Sequence, residues 1–207
     1  MDKVLGEMIS PPGFIIPFIK AIRKKRWRVM YDLGCGVGFY APIFRIHCCH
    51  PEGSEIHGCD LNTNMTLFRE WYSSIKHSDV NRFIKEIGPY IEPDAFFNCL
   101  ELIEHLPVDD GKRMLEALAK KGREVLLSTP AEPFPMQSEF VGLSHRSSWT
   151  ADMIMSCGFN MDYQKEMRDP IYGTKHLFLI LNPLEDFRSP TASMTEQLKG
   201  GSPYIAG

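Results

Sequence analysis

The sequence predicts an α/β fold: a seven-stranded, mostly parallel sheet with helices on both faces and an antiparallel C-terminal hairpin. Three observations predict it. Short apolar runs alternate with helix-period segments through the first 130 residues. The first run, Val29 to Leu33, opens directly into a glycine cluster and a helical pattern. The last two extended runs are separated by a turn alone, which is a hairpin connection and not a crossover.

The elements follow in order. Phe14 to Ile22 reads as an amphipathic helix that covers the sheet. Val29 to Leu33 is the first strand, and Phe39 to Ile46 the helix behind it, with Pro42 tolerable in a first turn. Glu55 to Asp60 is the second strand, Met65 to Trp71 a short helix, and Tyr72 to His77 a weak third strand. Val80 to Ile87 is helical and stops at Gly88-Pro89, and Ala95 to Leu100 is the fourth strand. Val108 to Lys121 is the clearest helix: Asp109 and Asp110 in its first turn and Lys120 and Lys121 in its last complement the helix dipole, and Gly122 ends it. Glu124 to Ser128 is the fifth strand, followed by a proline-bearing loop from Ala131 to Ser144. Thr150 is a plausible N-cap for a helix from Ala151 to Cys157. Phe159 to Met167 and Thr174 to Leu181 are the hairpin strands, joined by a turn from Asp169-Pro170 to Gly173. Residues 1–187 then form one domain, and 188–207, rich in Ser, Gly and Thr, a flexible tail.

Composition narrows the function. The chain has 207 residues, 43% hydrophobic, and a net charge of −3, which does not advertise a nucleic-acid partner. The run Arg23-Lys24-Lys25-Arg26 with Arg28 reads as a solvated helix end. The six cysteines form no CxxC pair and read as reduced thiols. Four consecutive residues, His47-Cys48-Cys49-His50, cannot converge on one ion from a helix. No run reaches the roughly 18 apolar residues of a membrane span, and no signal peptide is visible, so a cytoplasmic location without a membrane partner is expected. Oligomeric state is not readable.

The glycine loop carries the first chemistry. Tyr31-Asp32-Leu33-Gly34-Cys35-Gly36-Val37-Gly38 follows a strand and opens a helix, where glycines let a ligand approach the backbone. Phe39 stands where a nicotinamide fingerprint wants its third glycine. Asp32 would repel a pyrophosphate but favours a cationic ligand. Asp60 ends the second strand 22 positions beyond Gly38, where an acid can accept from both ribose hydroxyls.

Asp32 to Gly38 together with Asp60 resembles motifs one and two of class I S-adenosylmethionine-dependent methyltransferases, a Rossmann-like family whose sheet ends in an antiparallel hairpin. The resemblance implies S-adenosyl-L-methionine as cofactor. By it Asp32 reaches the methionine ammonium, Gly34, Gly36 and Gly38 form the loop, Asp60 binds ribose, Asp79 is a candidate for the adenine amino group, and Leu100 lies along the cofactor.

The second chemistry lies after the fourth strand, in Glu101-Leu102-Ile103-Glu104-His105. On a helix Glu101, Glu104 and His105 share a face, where two carboxylates repel unless a cation neutralises them. With His145 as a further ligand, the set Glu101, Glu104, His105 and His145 suits manganese or magnesium better than closed tetrahedral zinc. Without metal, His105 or His145 is the candidate general base, Glu104 caps a helix, and Trp149 is core.

This segment, with His145 in an H-x-x-x-W-T context and Ser10-Pro11-Pro12, resembles the small-RNA 3′-terminal 2′-O-methyltransferases. Gly142 departs from that family's H-x-x-H pairing. Glu104-His105-Leu106-Pro107, Asp110-Gly111, Ser128-Thr129-Pro130 and His145 to Trp149 look more like stand-alone microbial and viral class I methyltransferases, and quinone-pathway O-methyltransferases carry a similar Glu-x-x-Glu-His segment. The expected acceptor is a small molecule or a terminal hydroxyl, with Phe134, Met136 and Phe140 as one wall of its pocket. The alternatives are a metal-dependent RNA 3′-end enzyme and a non-enzymatic cofactor-binding module.

Overall fold

The computed structural model describes residues 12–133, 144–168 and 173–187. Its strands are β1 (Val29–Leu33), β2 (Glu55–Asp60), β3 (Ser74–His77), β4 (Ala95–Leu100), β5 (Val125–Pro130), β6 (Phe159–Arg168) and β7 (Lys175–Pro183). Its helices are α1 (Ile15–Lys25), α2 (Tyr40–His47), α3 (Val80–Glu86), α4 (Val108–Lys121) and α5 (Ala151–Met155). The sheet order is β3-β2-β1-β4-β5-β7-β6. The five strands β1 to β5 pair in parallel, and β7 lies antiparallel between β5 and β6. This is the mixed seven-stranded sheet expected from the sequence.

Strand alternation divides the core into two. Val29, Tyr31, Phe97, Val125, Leu127 and Leu179 pack with α3, α4 and α5 through Phe83, Met114, Leu118 and Ile154. Met30, Phe96, Leu126, Phe178 and Ile180 pack with α1 and α2 through Phe18, Ile22 and Phe44. Both faces of β1, β4 and β5 are buried, so these central strands read as near-continuous apolar runs, while β3 at the edge is largely exposed. Phe96 stacks on Trp27 at a centroid distance of 4.1 Å, and a fully buried aromatic of this kind contributes about 3 kcal/mol by area.

Charge pairing reshapes the expected solvated basic run. Lys25 forms ion pairs with Glu124 and, at 2.8 Å, with Asp162, while Arg28 pairs with Asp94 at 3.0 Å and Glu55 at 2.5 Å. These cations tie α1 and the start of β1 to the sheet's amino edge and are not a free patch. All six cysteines are free thiols.

One predicted helix, and the helical arrangement considered for Glu101 to His105, fail for the same reason. Met65 to Trp71 is not a helix but part of two 3₁₀ turns, Thr63–Met65 and Arg69–Trp71. Its polar groups bond outward: Thr66 donates its hydroxyl to the Gly36 carbonyl, and the Leu67 and Phe68 amides donate to Val37. The Glu101 to His105 segment is likewise a 3₁₀ turn over Ile103–His105, preceded by Glu101 at φ 53. The Glu101 amide goes to Ser128 on the neighbouring strand, so no helical ladder starts there. The expected wall residues Phe134, Met136 and Phe140, Gly142, Ser10-Pro11, the 169–172 turn and the 188–207 tail lie outside the described residues.

Candidate functional site

The carboxyl ends of β1, β2, β4 and β5 carry the functional side chains, where open α/β sheets bind ligands. At β1 the loop holds Gly34, Gly36 and Gly38 at φ 65, 51 and 84, a left-handed path that other side chains rarely adopt. Space constrains it too: a Cβ on Gly34 would stand 2.6 Å from the Leu102 side chain.

Asp60 fastens this loop. Its Oδ2 accepts from the Gly36 amide at 2.9 Å and its Oδ1 from the Asn62 amide at 2.7 Å. Asp32 is almost fully enclosed, at 3% exposure. Its Oδ2 accepts from the Tyr72 hydroxyl at 2.5 Å and its Oδ1 from the Asn98 amide at 2.8 Å. Burial pushes its carboxyl up to about 6; the Tyr72 and Asn98 bonds pull it down, and the Asp60 charge adds to the rise. Asp79 is exposed and caps α3, its Oδ1 accepting from the Asn81 and Arg82 amides. Leu100 is buried at the end of β4.

Past β4 the structure separates two acids that the sequence grouped as ligands. Glu101 Oε1 accepts from the Ser128 hydroxyl at 2.7 Å, and its Oε2 lies 2.9 Å from His176 Nδ1 on β7. His176 in turn shares a hydrogen bond of 2.8 Å between its Nε2 and Thr174 Oγ1. Glu104 is 1% exposed, and its polar neighbours, the Thr129 hydroxyl and Glu101, make no well-formed hydrogen bond to either carboxylate oxygen. Burial and then the Glu101 charge hold its carboxyl well above the usual range.

Glu104, His105 and His145 each bring a ligand atom within 4.8 Å of the others, the one such group among the described residues. The two imidazoles meet edge to face at 4.9 Å. Glu101 does not belong to this group; its oxygens serve Ser128 and His176.

His145 arrives by a defined route. The Arg146 and Ser147 amides donate to the Glu104 carbonyl at 2.7 and 3.1 Å. The Ser147 hydroxyl donates to Leu106, and Trp149 donates its indole N–H to Ser147 Oγ at 2.7 Å. Trp149 is core, 2% exposed, and its ring occupies the space above Gly111, where a Cβ would stand 2.3 Å from it.

Sequence reasoning missed Tyr72, Asn98, Ser128 and His176 as site residues. Asn98 had a legible signal, a polar residue inside an apolar strand beside Asp32. Tyr72 and His176 had none, because each reaches the site across the fold.

No family model and no curated protein sequence matches the chain. Solved structures do. The Burkholderia thailandensis 1,6-didemethyltoxoflavin-N1-methyltransferase, with 1,6-didemethyltoxoflavin and S-adenosylhomocysteine bound, aligns at a TM-score of 0.59 with 14% identity over 83% of this chain and 78% of that one. A Clostridium acetobutylicum S-adenosylmethionine-dependent methyltransferase aligns at 0.57 with 10% identity over 88% and 96%. The magnesium protoporphyrin IX methyltransferase of Synechocystis PCC 6803, with S-adenosylhomocysteine bound, aligns at 0.53 with 14% identity over 81% and 82%. The chain has the class I S-adenosylmethionine-dependent methyltransferase fold. Among the described residues no helix is long and apolar enough to cross a membrane.

Proposed function

We propose that this protein is an S-adenosylmethionine-dependent methyltransferase acting on a small-molecule acceptor or a terminal hydroxyl. The observation that carries the reading is the loop of Gly34, Gly36 and Gly38 clasped between Asp32 and Asp60 at the carboxyl ends of β1 and β2. A carboxylate behind the loop favours the cationic methionine end, and Asp60 retains lone pairs for ribose hydroxyls. The structures of like fold described above are methyltransferases, two with small acceptors in their names. A small acceptor also agrees with the spending of Lys25 and Arg28 on internal acids.

The cofactor, when bound, supplies an activated methyl group, and the protein supplies alignment and proton handling. His105 and His145 stand beside the buried Glu104 as candidate bases for the acceptor's proton. Glu104, with both oxygens lacking donors, fits a divalent cation shared with His105 and His145. Three protein ligands leave positions for acceptor oxygens, and such an ion would lower the acceptor hydroxyl's pKa. The nearness of the Glu104 carboxyl to both imidazoles favours this metal-assisted reading over a purely histidine-based one, since a divalent cation would stabilise the ionised carboxylate that burial otherwise disfavours.

Calorimetric titration with S-adenosylhomocysteine, with and without manganese, tests both parts. Micromolar binding that Asp60→Ala abolishes supports the cofactor site. Manganese binding that requires His145 supports the metal. No binding by the wild type sinks the methyltransferase reading and leaves a fold without its activity.

A further inference from the structure

Resting on that reading, we propose that Tyr72 is a positioning residue of the cofactor pocket: its ring braces the glycine loop against β2, and its hydroxyl fixes the Asp32 carboxylate for a cationic ligand. The bracing is visible in what glycine makes possible. A Cβ on Gly58 of β2 would stand 2.7 Å from Tyr72 Cε1, and one on Gly38 would stand 3.0 Å from Cε2. The ring therefore fills the space between the loop and β2, and glycine is required on both sides of it. Tyr72 is itself held. Arg45 of α2 donates to the Trp71 carbonyl, and the Ser73 amide donates to Ile56 on β2.

The hydroxyl matters because of what surrounds Asp32. The titratable and polar groups acting on it are Tyr72 from the segment before β3, Asn98 and Cys99 from β4, Cys59 and Asp60 from β2, and Cys35 from the loop. Among the described residues no cation is one of them, and two neutral donors, Tyr72 and Asn98, stabilise the buried charge. Burial of Asp32, raising its carboxyl to about 6, leaves its ionisation close to neutral pH and sensitive to the loss of either donor.

The test compares wild type, Tyr72→Phe and Tyr72→Leu. S-adenosylhomocysteine affinity is measured from about pH 5.5 to about pH 9, and the Asp32 carboxyl carbon is titrated by NMR without ligand. Tyr72→Phe keeps the brace and loses the donor. Its Asp32 midpoint should move upward, and binding near neutral pH should weaken roughly tenfold, with the deficit shrinking as pH rises. Tyr72→Leu loses the brace too and should weaken binding at every pH. An unmoved Asp32 midpoint in Tyr72→Phe, whatever its melting temperature, overturns the inference. If the wild type fails to bind S-adenosylhomocysteine, the methyltransferase reading falls, while the NMR midpoint still decides the link from Tyr72 to Asp32.

Discussion

Two buried acids at the carboxyl edge of one sheet, Asp32 near the end of β1 and Glu104 in the turn after β4, are treated oppositely. Asp32 has a donor on each oxygen, from Tyr72 and Asn98. Glu104 has none, and Glu101 presses on it. The first is a preorganised charge, whose surroundings are complete before any ligand arrives. The second is a buried acid that burial and the Glu101 charge hold toward its neutral form, and the metal proposal supplies it with a cation. Neither acid can retreat to water, so each depends on what the fold or a ligand brings to it.

The comparison breaks most sharply at Glu104. Glu104→Gln should reduce manganese affinity by at least a hundredfold in calorimetry, while the metal-free variant melts no lower than wild type. Retained metal affinity would show Glu104 to be an ordinary buried acid. On the cofactor side, Asp60→Ala removes both the ribose acceptor and the Gly36 tether and should weaken S-adenosylhomocysteine about a hundredfold.

Asp32→Asn separates stability from binding. Asp32 has a folded pKa above its unfolded value, so folding favours the protonated form: its ionisation costs stability as pH rises through about 6, and that cost vanishes below the unfolded value near 4. The neutral variant should therefore unfold with a free energy roughly 2–3 kcal/mol higher than wild type at pH 7.5, the gap closing toward about pH 4, while cofactor affinity falls. Denaturant melts at several pH values read this, and a pH-independent difference would refute it. Gly111→Ala forces a methyl into the Trp149 ring and should cost about 1–3 kcal/mol, displacing His145 and so lowering manganese affinity. The smallest effect is His176→Gln, a loss of about 1 kcal/mol in thermal or denaturant melts, since Ser128 still holds Glu101.

Much of this contrast was legible in residue order. β1, β2, β4 and α4 begin and end where apolar runs, glycines and end charges place them. Asp32 and Asp60 stand out because a carboxylate at a strand end beside glycines has few structural reasons to be there. The shared face considered for Glu101, Glu104 and His105 does not form, because spacing reports only what a helix would do. The Ser128 hydroxyl and carbonyl take the Glu101 amide instead, and the chain turns left-handed. That turn takes Glu101 away from Glu104, His105 and His145 and places it beside His176. Tyr72 was invisible for a related reason: its role depends on the empty space over Gly38 and Gly58, and a vacancy has no letter.

The placement of β7 has a consequence for assembly. Among the described residues it is the last strand, yet it lies inside the sheet, with β5 on one side and β6 on the other. Among them β6 pairs with β7 alone, and His176, at the beginning of β7, reaches Glu101 only after β7 has inserted. β7 pairs with β5 across a shorter stretch of chain (Val125↔Leu181) than separates β1 from β4 (Val29↔Ala95), so its insertion closes a loop no longer than the parallel core itself needs. β7 is thus a keystone: a change that loosens it withdraws His176 from Glu101 and leaves β6 without its ladder at the same time.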